Sequence, residues 1–258
     1  MLENDVILDE AASTGAQLWG SGGDRHGSAM PMVLMYHSVA PYEQDPYGIT
    51  VSPARFERQM RWLRRRGQRG VSMSTLLTAW RAGRARGLIG LTFDDGYADF
   101  LEYALPVLVK YGFGATTFPV AGLLGGNNDW DPDGPRKPLM TAEQVRQAAG
   151  AGIEIGSHGL RHASLPVISA AELAVEAAES RAILRAASGQ DVAGFCYPFG
   201  HVDAARAAGY SYGCGIWRTP ETGVFSIPRA FIDDHDNCVH MVAKEIKHLL
   251  TWGHSWAY

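Results

Sequence analysis

The stretch LIGLTFDDG, residues 88–96, decides the fold and the chemistry that this sequence predicts. Its mostly apolar first part predicts a buried strand, which stops at two adjacent carboxylates, Asp94 and Asp95. Burying either carboxylate costs several kcal/mol unless a cation or hydrogen-bond donors compensate, so a fold does not place such a pair there for stability. We therefore expect the rest of the chain to supply a metal ion and something to deprotonate.

Strands and helices alternate on both sides of this stretch. Apolar runs predict strands at 32–37, 88–93, 114–120, 152–156, 192–197, 210–216 and 225–232, and helices begin near residues 53, 74, 100, 141, 169, 203 and 239. Such alternation implies parallel strands joined by right-handed crossovers, and so an α/β barrel or an open sheet. In both architectures the chemistry lies at the carboxyl ends of the strands. The polar residues expected there are His37, Asp94, Asp95, His158 and Tyr197.

Three of the helix starts carry capping signals. Ser52 precedes Pro53, which suits an N-cap followed by the first helical position. Thr141 and Ser169 each stand three residues before a glutamine or glutamate, the pattern of a capping box. These signals fix where the helices begin more firmly than where they end.

The composition is that of a globular protein and excludes several classes. The chain has 258 residues, a net charge of −4 and 46% hydrophobic residues, enough for one catalytic domain at 31–258 with a substantial core. Its three cysteines lack CxxC spacing, which argues against a disulfide framework and a cysteine zinc site. No apolar run is long enough to span a membrane, and no nucleic-acid-binding module is present.

The first 30 residues, which are polar and rich in glycine and serine, predict a flexible or strapping extension. They lack the positive start and apolar core of a secretory signal, so we expect a cytoplasmic protein.

An arginine cluster lies on or just after the first predicted helix, with Arg61, Arg64, Arg65, Arg66 and Arg69. A solvated helix face is the first interpretation of this cluster, and a patch for phosphate or a polyanion is the alternative.

His158 and His162 stand four residues apart, just after a predicted strand. On one turn of helix or in a tight loop, both imidazoles face the same way, as two metal ligands must. With one carboxylate they form a three-ligand site with an open position, as in catalytic zinc centres. The second acid would lie beside a water molecule and take its proton, which indicates hydrolysis of a carbonyl group such as an amide. The alternatives are an ordinary Asp-Gly turn and a chance pair of histidines.

Three motifs, in this order and at these separations, resemble those of the polysaccharide deacetylases, the carbohydrate esterase family 4 enzymes with a NodB homology domain. They are TFDDG at 92–96, HGLRH at 158–162 and FCYPFG at 195–200. The sequence MYHS at 35–38 resembles the branch that deacetylates poly-N-acetylglucosamine. The resemblance covers about residues 31–235. It implies an α/β fold, a distorted (β/α)7 barrel of the NodB homology type, and hydrolysis of N-acetyl groups from amino sugars.

The resemblance also implies roles for single residues. Asp94 is expected to be the catalytic base. One divalent metal ion, Zn²⁺ first and Co²⁺ or Ni²⁺ as alternatives, is expected on Asp95, His158 and His162. One wall of the substrate groove is expected to be formed by Tyr197, Pro198, Phe199 and Gly200.

Two departures from the family pattern affect the expected catalytic groups. The third motif usually carries an arginine braced against the catalytic aspartate, and this chain has Cys196 there. Arg229, from the last strand, is the expected replacement, with a surface or structural arginine as the alternative. The family's late Leu-x-x-His motif, which supplies the general acid, has no clean match. The available histidines are His235, His240, His248 and His254, and we place the acid at His235 because it lies nearest the expected strand end.

Further substrate contacts are expected from a long polar loop and from the first strand. Long loops in compact domains are usually functional, and the loop 125–138 carries Trp130 and Asp131. Trp130, Asp131 and Trp217 could stack on or line a sugar, with ordinary packing as the alternative. His37 is expected to face the substrate or the metal.

These observations predict a metal-dependent N-deacetylase whose substrate is an N-acetylated sugar or glycoside: a polysaccharide, an oligosaccharide or a glycosylated small molecule. One alternative is an amidase or imidase that acts on a non-sugar substrate with the same fold. Another is a carbohydrate-binding protein without turnover, against which the presence of all four motif residues argues.

Overall fold

The predicted strand at 88–93 is the central strand of the sheet in a computed structural model of the protein. The structure describes residues 30–163, 169–198, 208–216 and 220–252. The strands are β1 (Val33–Tyr36), β2 (Ser38–Val39), β3 (Thr50–Val51), β4 (Arg69–Val71), β5 (Leu88–Asp95), β6 (Thr116–Pro119), β7 (Glu154–Ile155), β8 (Gly194–Cys196), β9 (Tyr212–Cys214) and β10 (Ala230–Phe231). The helices are α1 (Pro53–Arg65), α2 (Met73–Arg81), α3 (Leu105–Tyr111), α4 (Ala142–Gly150), α5 (Ala170–Ser188) and α6 (Cys238–Trp252).

The strands form a ring. A parallel sheet runs in the order β10-β1-β5-β6-β7, and β8 pairs with β9 in parallel. Single bridges join Ser157 to Phe195 and Cys214 to Ile227, so they link β7 to β8 and β9 to the segment that leads into β10. Among the described residues, β1 and β5–β10 therefore make the seven-stranded, distorted (β/α)7 barrel of the NodB type that the sequence predicts.

Side chains of β5 alternate between the inside of the barrel and the surrounding helices. Gly90 lies on the same side of β5 as Asp94, and a Cβ there would meet Val33 and, from α2, Leu76 at 3.0 Å. Phe93 points outward and stacks on Tyr36 with 5.3 Å between the ring centroids. Asp94 continues the inward set, so its carboxylate lies within the barrel at the carboxyl end of the strand.

Local sequence signals account for most element boundaries. Both predicted capping boxes are formed, at Thr141 before α4 and at Ser169 before α5. α5 ends at Gly189, which adopts a left-handed φ of 72°. The helix predicted at 100–111 begins as a π-helical turn, Phe100–Ala104, before α3.

Three strands were not predicted from the sequence. β2 and β3 have two residues each and β4 has three, so their patterns are too short to show a period of two. The predicted extension 1–30, except Met30, and most of the helix predicted at 203–208 lie outside the described residues. Within the described ranges, no helix is both long and apolar enough to cross a membrane.

Candidate metal and catalytic site

The chain turns sharply where β5 ends. Asp95 has a positive φ of 68°, a conformation that costs about 1–3 kcal/mol for a residue with a side chain. Gly96 follows with φ 74°, and a Cβ there would lie 2.6 Å from the Cα of Pro119, so only glycine fits. The turn separates the two acids, because Asp94 precedes it with an ordinary φ while Asp95, the last residue of β5, already has the left-handed φ.

His158 faces Asp95 from the segment after β7. Its Nδ1 lies 2.8 Å from the carbonyl oxygen of Cys196. A carbonyl only accepts hydrogen bonds, so Nδ1 is the protonated nitrogen and Nε2 of the neutral ring carries a lone pair. That Nε2 lies 3.2 Å from Oδ1 of Asp95. Two acceptor atoms therefore face each other in a buried place, and a second proton or a metal ion is needed between them.

His162 completes the group. Its Nε2 lies 3.4 Å from Oδ1 of Asp95, and its ring centroid is 4.9 Å from that of His158. Residues 158–162 form a loop rather than a helical turn, and His162 has a positive φ of 56°. This backbone strain at two of the three predicted ligands is typical of a functional site.

Glu176, a buried residue of α5, holds this loop in place. Its carboxylate accepts the backbone N–H groups of Leu160 at 2.7 Å and Arg161 at 3.1 Å. It also accepts Nε of Arg161 at 2.7 Å. Nothing in the sequence pattern pointed to Glu176, because its partners lie in a separate motif.

The residues present fit a divalent metal ion. One oxygen of Asp95 and one nitrogen each of His158 and His162 lie within 4.8 Å of one another, and all three residues are buried. Oδ1 of Asp95 accepts no hydrogen bond from the described residues, so it has lone pairs to offer. Two imidazoles and a carboxylate form the donor set of catalytic zinc sites.

Protons and a metal ion compete for this place. Burial alone would raise the pKa of Asp95, yet the two imidazoles hold it well below its ordinary value. Burial would lower the pKa of His158, but the carboxylate of Asp95 raises it above its ordinary value. Metal binding must displace these protons, so it is favoured as pH rises.

Asp94 has a different partner, the guanidinium of Arg229. Nη1 of Arg229 lies 2.6 Å from Oδ1 of Asp94, and Nη2 lies 2.8 Å from Oδ2. Arg229 also donates to Thr92 Oγ1 at 3.1 Å and to the carbonyl oxygen of Gly215 at 3.2 Å. The structure thus brings Arg229 from the segment before β10 to the acid that the sequence paired it with.

Cys196 contacts both members of the pair of Asp94 and Arg229. Its Sγ lies 3.3 Å from Oδ2 of Asp94 and 3.1 Å from Nη2 of Arg229. Burial raises the pKa of the Cys196 thiol well above its ordinary value, so the sulfur stays protonated and donates to Asp94. Burial would raise the pKa of Asp94 too, but the charge and hydrogen bonds of Arg229 lower it, and Asp94 stays ionised.

His37 is the histidine that lies beside Asp94. Its Nε2 is 3.9 Å from Oδ2 of Asp94, and its ring is 5.7 Å from that of Phe231. Burial lowers the pKa of His37 below its ordinary value, although both nearby aspartates oppose this. The imidazole is therefore neutral at neutral pH.

His235 lies in an exposed turn after β10. Its backbone N–H donates to Asp233 at 2.7 Å, and its carbonyl faces Nδ1 of His240 at 3.0 Å. These contacts stay within the turn and the start of α6, and none reaches Asp94. The general-acid role predicted for His235 therefore has no support from its position.

The other predicted substrate residues differ in their surroundings. Trp130 stacks on His162 with 4.3 Å between ring centroids and 17° between the ring planes. Tyr197 is buried in the core, where it packs on Phe195, and Pro198 is buried next to it. Phe199, Gly200 and Trp217 lie outside the described residues.

A lysine pins the long loop 125–138 to the barrel. Nζ of Lys137 donates to Ser38 Oγ at 2.7 Å and to Thr50 Oγ1 at 2.6 Å. Ser38 donates in turn to Oδ2 of Asp99 at 2.5 Å. We call Lys137, Ser38, Thr50 and Asp99 the loop clasp. No sequence pattern predicted the loop clasp, because its four residues are isolated polar positions that no motif joins.

Comparisons with known sequences match the chain to polysaccharide deacetylases. The sequence profile described as polysaccharide deacetylase matches residues 82–213. A Bacillus subtilis protein named as a polysaccharide deacetylase, YxkH, is 30% identical over 70% of this chain. The poly-beta-1,6-N-acetyl-D-glucosamine N-deacetylase of Staphylococcus aureus is 24% identical over 76% of this chain and 71% of its own length.

Solved structures share the fold. The Streptococcus pyogenes deacetylase PplD, solved in complex with acetate, matches with a TM-score of 0.71 at 21% identity, covering 84% of this chain and 99% of that one. IcaB from Ammonifex degensii matches with a TM-score of 0.68 at 23% identity, over 84% of this chain and 97% of that one.

The comparisons also differ in extent. The chain spans 62% of the length of the Bacillus subtilis relative and 20% of the Escherichia coli poly-beta-1,6-N-acetyl-D-glucosamine N-deacetylase, which is 28% identical over the matched part. The family profile covers about half of this chain and includes all three motifs, TFDDG, HGLRH and FCYPFG. The chain therefore belongs to the polysaccharide deacetylase family.

Proposed function

We propose that the chain is a metal-dependent N-deacetylase that hydrolyses the N-acetyl groups of an amino-sugar polymer. The observation that carries the proposal is that two adjacent acids have different partners. Asp95 lies with His158 and His162 in a group that fits a divalent cation. Asp94, beside it, is kept ionised by Arg229.

The cation and Asp94 have complementary tasks in this proposal. A divalent cation bound by Asp95, His158 and His162, most simply Zn²⁺, would polarise the amide carbonyl and lower the pKa of the attacking water. Asp94 takes the proton of that water, because it is a carboxylate fixed at the same strand end. The two bonds from Arg229 hold the carboxylate in one orientation, which reduces the cost of positioning it.

The leaving amine needs a proton, and we propose His37 as the group that delivers it. Its Nε2 lies 3.9 Å from Oδ2 of Asp94, which is longer than a hydrogen bond, and we propose that this contact tightens when substrate binds so that the proton taken from water can pass to the imidazole. The neutral ring can accept it and then donate it to the amine nitrogen as the C–N bond breaks.

The substrate class is supported by the relatives and by the mouth of the site. Two relatives are named for poly-beta-1,6-N-acetyl-D-glucosamine. Trp130, half-buried beside His162, presents an aromatic ring at the edge of the site, and such rings suit the apolar face of a sugar. The predicted cytoplasmic location, and the role of residues 1–30 as an extension, stay predictions.

Acetate release from N-acetylglucosamine oligomers tests the proposal. We expect the protein with one equivalent of Zn²⁺ to release acetate, and Asp94→Asn to keep the metal but lose release by at least about a thousandfold. A double variant, His158→Ala with His162→Ala, should lose both metal and activity. The matched control is the double variant of two other histidines, His240→Ala with His248→Ala, which should keep both.

Two outcomes would contradict the proposal. Near-normal acetate release by Asp94→Asn would show that another group is the base. Release of acid from a simple non-sugar amide, but not from any amino-sugar oligomer, would favour the amidase alternative.

A further inference from the structure

The outer face of α1 carries a concentration of positive charge that the proposed reaction does not use. Residues 55–69 contain seven arginines and one glutamate, in a protein with a net charge of −4. Arg55, Arg58, Arg61 and Arg65 lie on one side of α1, opposite its buried residues. A local excess of one sign on a protein of the other sign indicates a partner of opposite charge.

These four arginines line a cleft between α1 and the start of α6. The cleft has a volume of about 260 Å³ and is also lined by Trp62 and Asn237. α6 begins at Cys238, so the positive end of its dipole points toward the cleft. We call this site the arginine cleft.

Among the described residues, the arginines of the cleft are left without an ion-pair partner. In the described part of the chain, none of the four arginines forms an ion pair, whereas their neighbour Arg66 pairs with Glu245 at 2.9 Å. Glu57, the acid on α1, forms an ion pair with Lys110. Asp236, the acid on the cleft wall, is bound by Lys244 and by the backbone N–H of Asp233.

A second observation points to a missing anion. Nε of Arg55 is buried and has no hydrogen-bond acceptor among the described residues. The carboxylate of Asp234 interacts electrostatically with Arg55, but it is already bonded to the backbone N–H and the hydroxyl of Ser52. A buried guanidinium donor without an acceptor is expected to receive one from a bound ion or ligand.

We propose that the arginine cleft binds the phosphate groups of a soluble phosphodiester polymer. Several guanidinium groups line one small cavity, and each phosphodiester carries one permanent negative charge on two free oxygens, which a guanidinium can bind through two parallel hydrogen bonds. Arg55 and Arg65 are ten residues apart, which is about 15 Å along a helix, too far for one phosphate. A repeating phosphate chain matches that length.

The same charge excludes the product of the proposed reaction as occupant. Removing acetyl groups from an amino sugar leaves ammonium groups, which the arginines repel. The arginine cleft is thus a separate binding site on the flank of the barrel, for a partner of the opposite charge to the product.

The test is titration of the full metal-loaded chain with a fluorescent glycerol phosphate oligomer. We expect the triple variant Arg58→Gln, Arg61→Gln, Arg65→Gln to weaken binding at least tenfold and to lower its salt dependence. The control changes three exposed arginines elsewhere, Arg84→Gln, Arg86→Gln and Arg146→Gln, and should change binding less than twofold. Both triple variants should release acetate from N-acetylglucosamine oligomers as the parent does. Acetate release therefore tests the deacetylase proposal, and oligomer binding tests the arginine cleft independently.

Three outcomes would overturn the assignment. If both triple variants weaken binding equally, oligomer binding depends on the net charge of the protein and not on the arginine cleft. If polyglutamate competes as well as the phosphate oligomer, the site does not select phosphate. If phosphatidylglycerol vesicles bind and the soluble oligomer does not, the partner is a membrane surface and not a polymer.

Discussion

The two adjacent acids at the end of β5 have opposite surroundings. Asp94 is matched by a permanent cation, with the guanidinium of Arg229 at 2.6 and 2.8 Å from its two oxygens. Asp95 faces two imidazole nitrogens, at 3.2 and 3.4 Å, and no described lysine or arginine forms an ion pair with it. One acid therefore has a fixed charge partner, and the other depends on a proton or a metal ion.

The comparison explains how neighbouring residues can have different tasks. A carboxylate with a fixed guanidinium stays ionised over a wide pH range and keeps one orientation, as a base needs. A carboxylate facing two imidazole nitrogens changes its partner with pH and with metal concentration. Changes at Asp95 should therefore remove the metal ion, whereas changes around Asp94 should affect the base and leave the metal bound.

The largest effect is expected from Asp95→Asn. Asparagine tolerates the left-handed φ of 68° at this position, so the fold should survive. It cannot supply the negative charge, so we expect loss of bound Zn²⁺ and a fall in acetate release of at least about a thousandfold. Metal content by mass spectrometry and acetate release would be measured together, with the exposed loop residue Asp133→Asn as the control. A variant that keeps a full equivalent of metal would remove Asp95 from the ligand set.

Arg229→Gln should act on stability as well as on turnover. It leaves Asp94 buried without its cation, which costs about 3–5 kcal/mol in other proteins. The pKa of Asp94 is lowered in the native protein, so the pair stabilises the fold above the ordinary aspartate pKa and this contribution is lost as pH falls through the native pKa. In the variant burial outweighs the remaining bond from Cys196 and the nearby imidazoles, so the pKa of Asp94 rises and stability should instead fall as pH rises.

Urea unfolding at acidic and neutral pH would measure this reversal. We expect kcat to fall by more than KM rises, because Arg229 acts through the base. The double variant Arg229→Gln, Asp94→Asn removes both charges and should recover much of the stability but none of the activity. If the single and double variants are equally unstable, the loss comes from packing around Arg229 and not from an unpaired charge.

The sequence predicted the centre of this site because strand ends converge. Asp94, Asp95 and His158 each follow a predicted strand, and the carboxyl ends of parallel strands meet at one end of a barrel. His162 follows from its spacing to His158. Arg229 was predicted as one of two possibilities, since only the fold shows that the segment before β10 passes beside β5.

Other parts of the site depend on contacts that no local pattern records. His235 was chosen by its distance along the chain from a strand end, whereas the structure has His37, at the end of β1, beside Asp94. Glu176 and Lys137 hold loops through side chains that pair with residues far away in sequence. Isolated polar residues of this kind have no period and no spacing rule, so sequence alone could not select them.

Cys196 offers a finer test of the Asp94 side of the comparison. Its thiol donates one bond to an acid that already has two from Arg229, so Cys196→Ala should lower kcat by less than about tenfold. Cys196→Ser retains a donor, so its kcat should lie between that of Cys196→Ala and that of the parent protein. Cys214→Ala, on the neighbouring strand, is the matched buried-cysteine control. A loss as large as that of Arg229→Gln would mean that the thiol, and not the guanidinium, holds the base.

The smallest effect is expected at a third acid, Asp99, in the loop clasp. Burial raises the pKa of Asp99 from 3.8 to about 6, against the hydrogen bond from Ser38 and the charge of Lys137. The carboxyl group of Asp99 therefore binds its proton more tightly in the folded protein than in the unfolded chain. Its contribution to stability is fully present below about pH 4 and is lost as pH rises through 6. Unlike Asp94, this carboxylate is thus held with its charge only partly compensated.

Asp99→Asn should make stability less dependent on pH between about 4 and 6, while leaving the mouth of the barrel intact. Thermal unfolding across this range would measure it, with the exposed Asp129→Asn as the control.

Lys137→Met, which removes the bonds to Ser38 and Thr50, should release the loop that carries Trp130 and raise KM several-fold, with little change in kcat. A fall in kcat with unchanged KM would indicate that the loop clasp supports the reacting groups rather than the substrate.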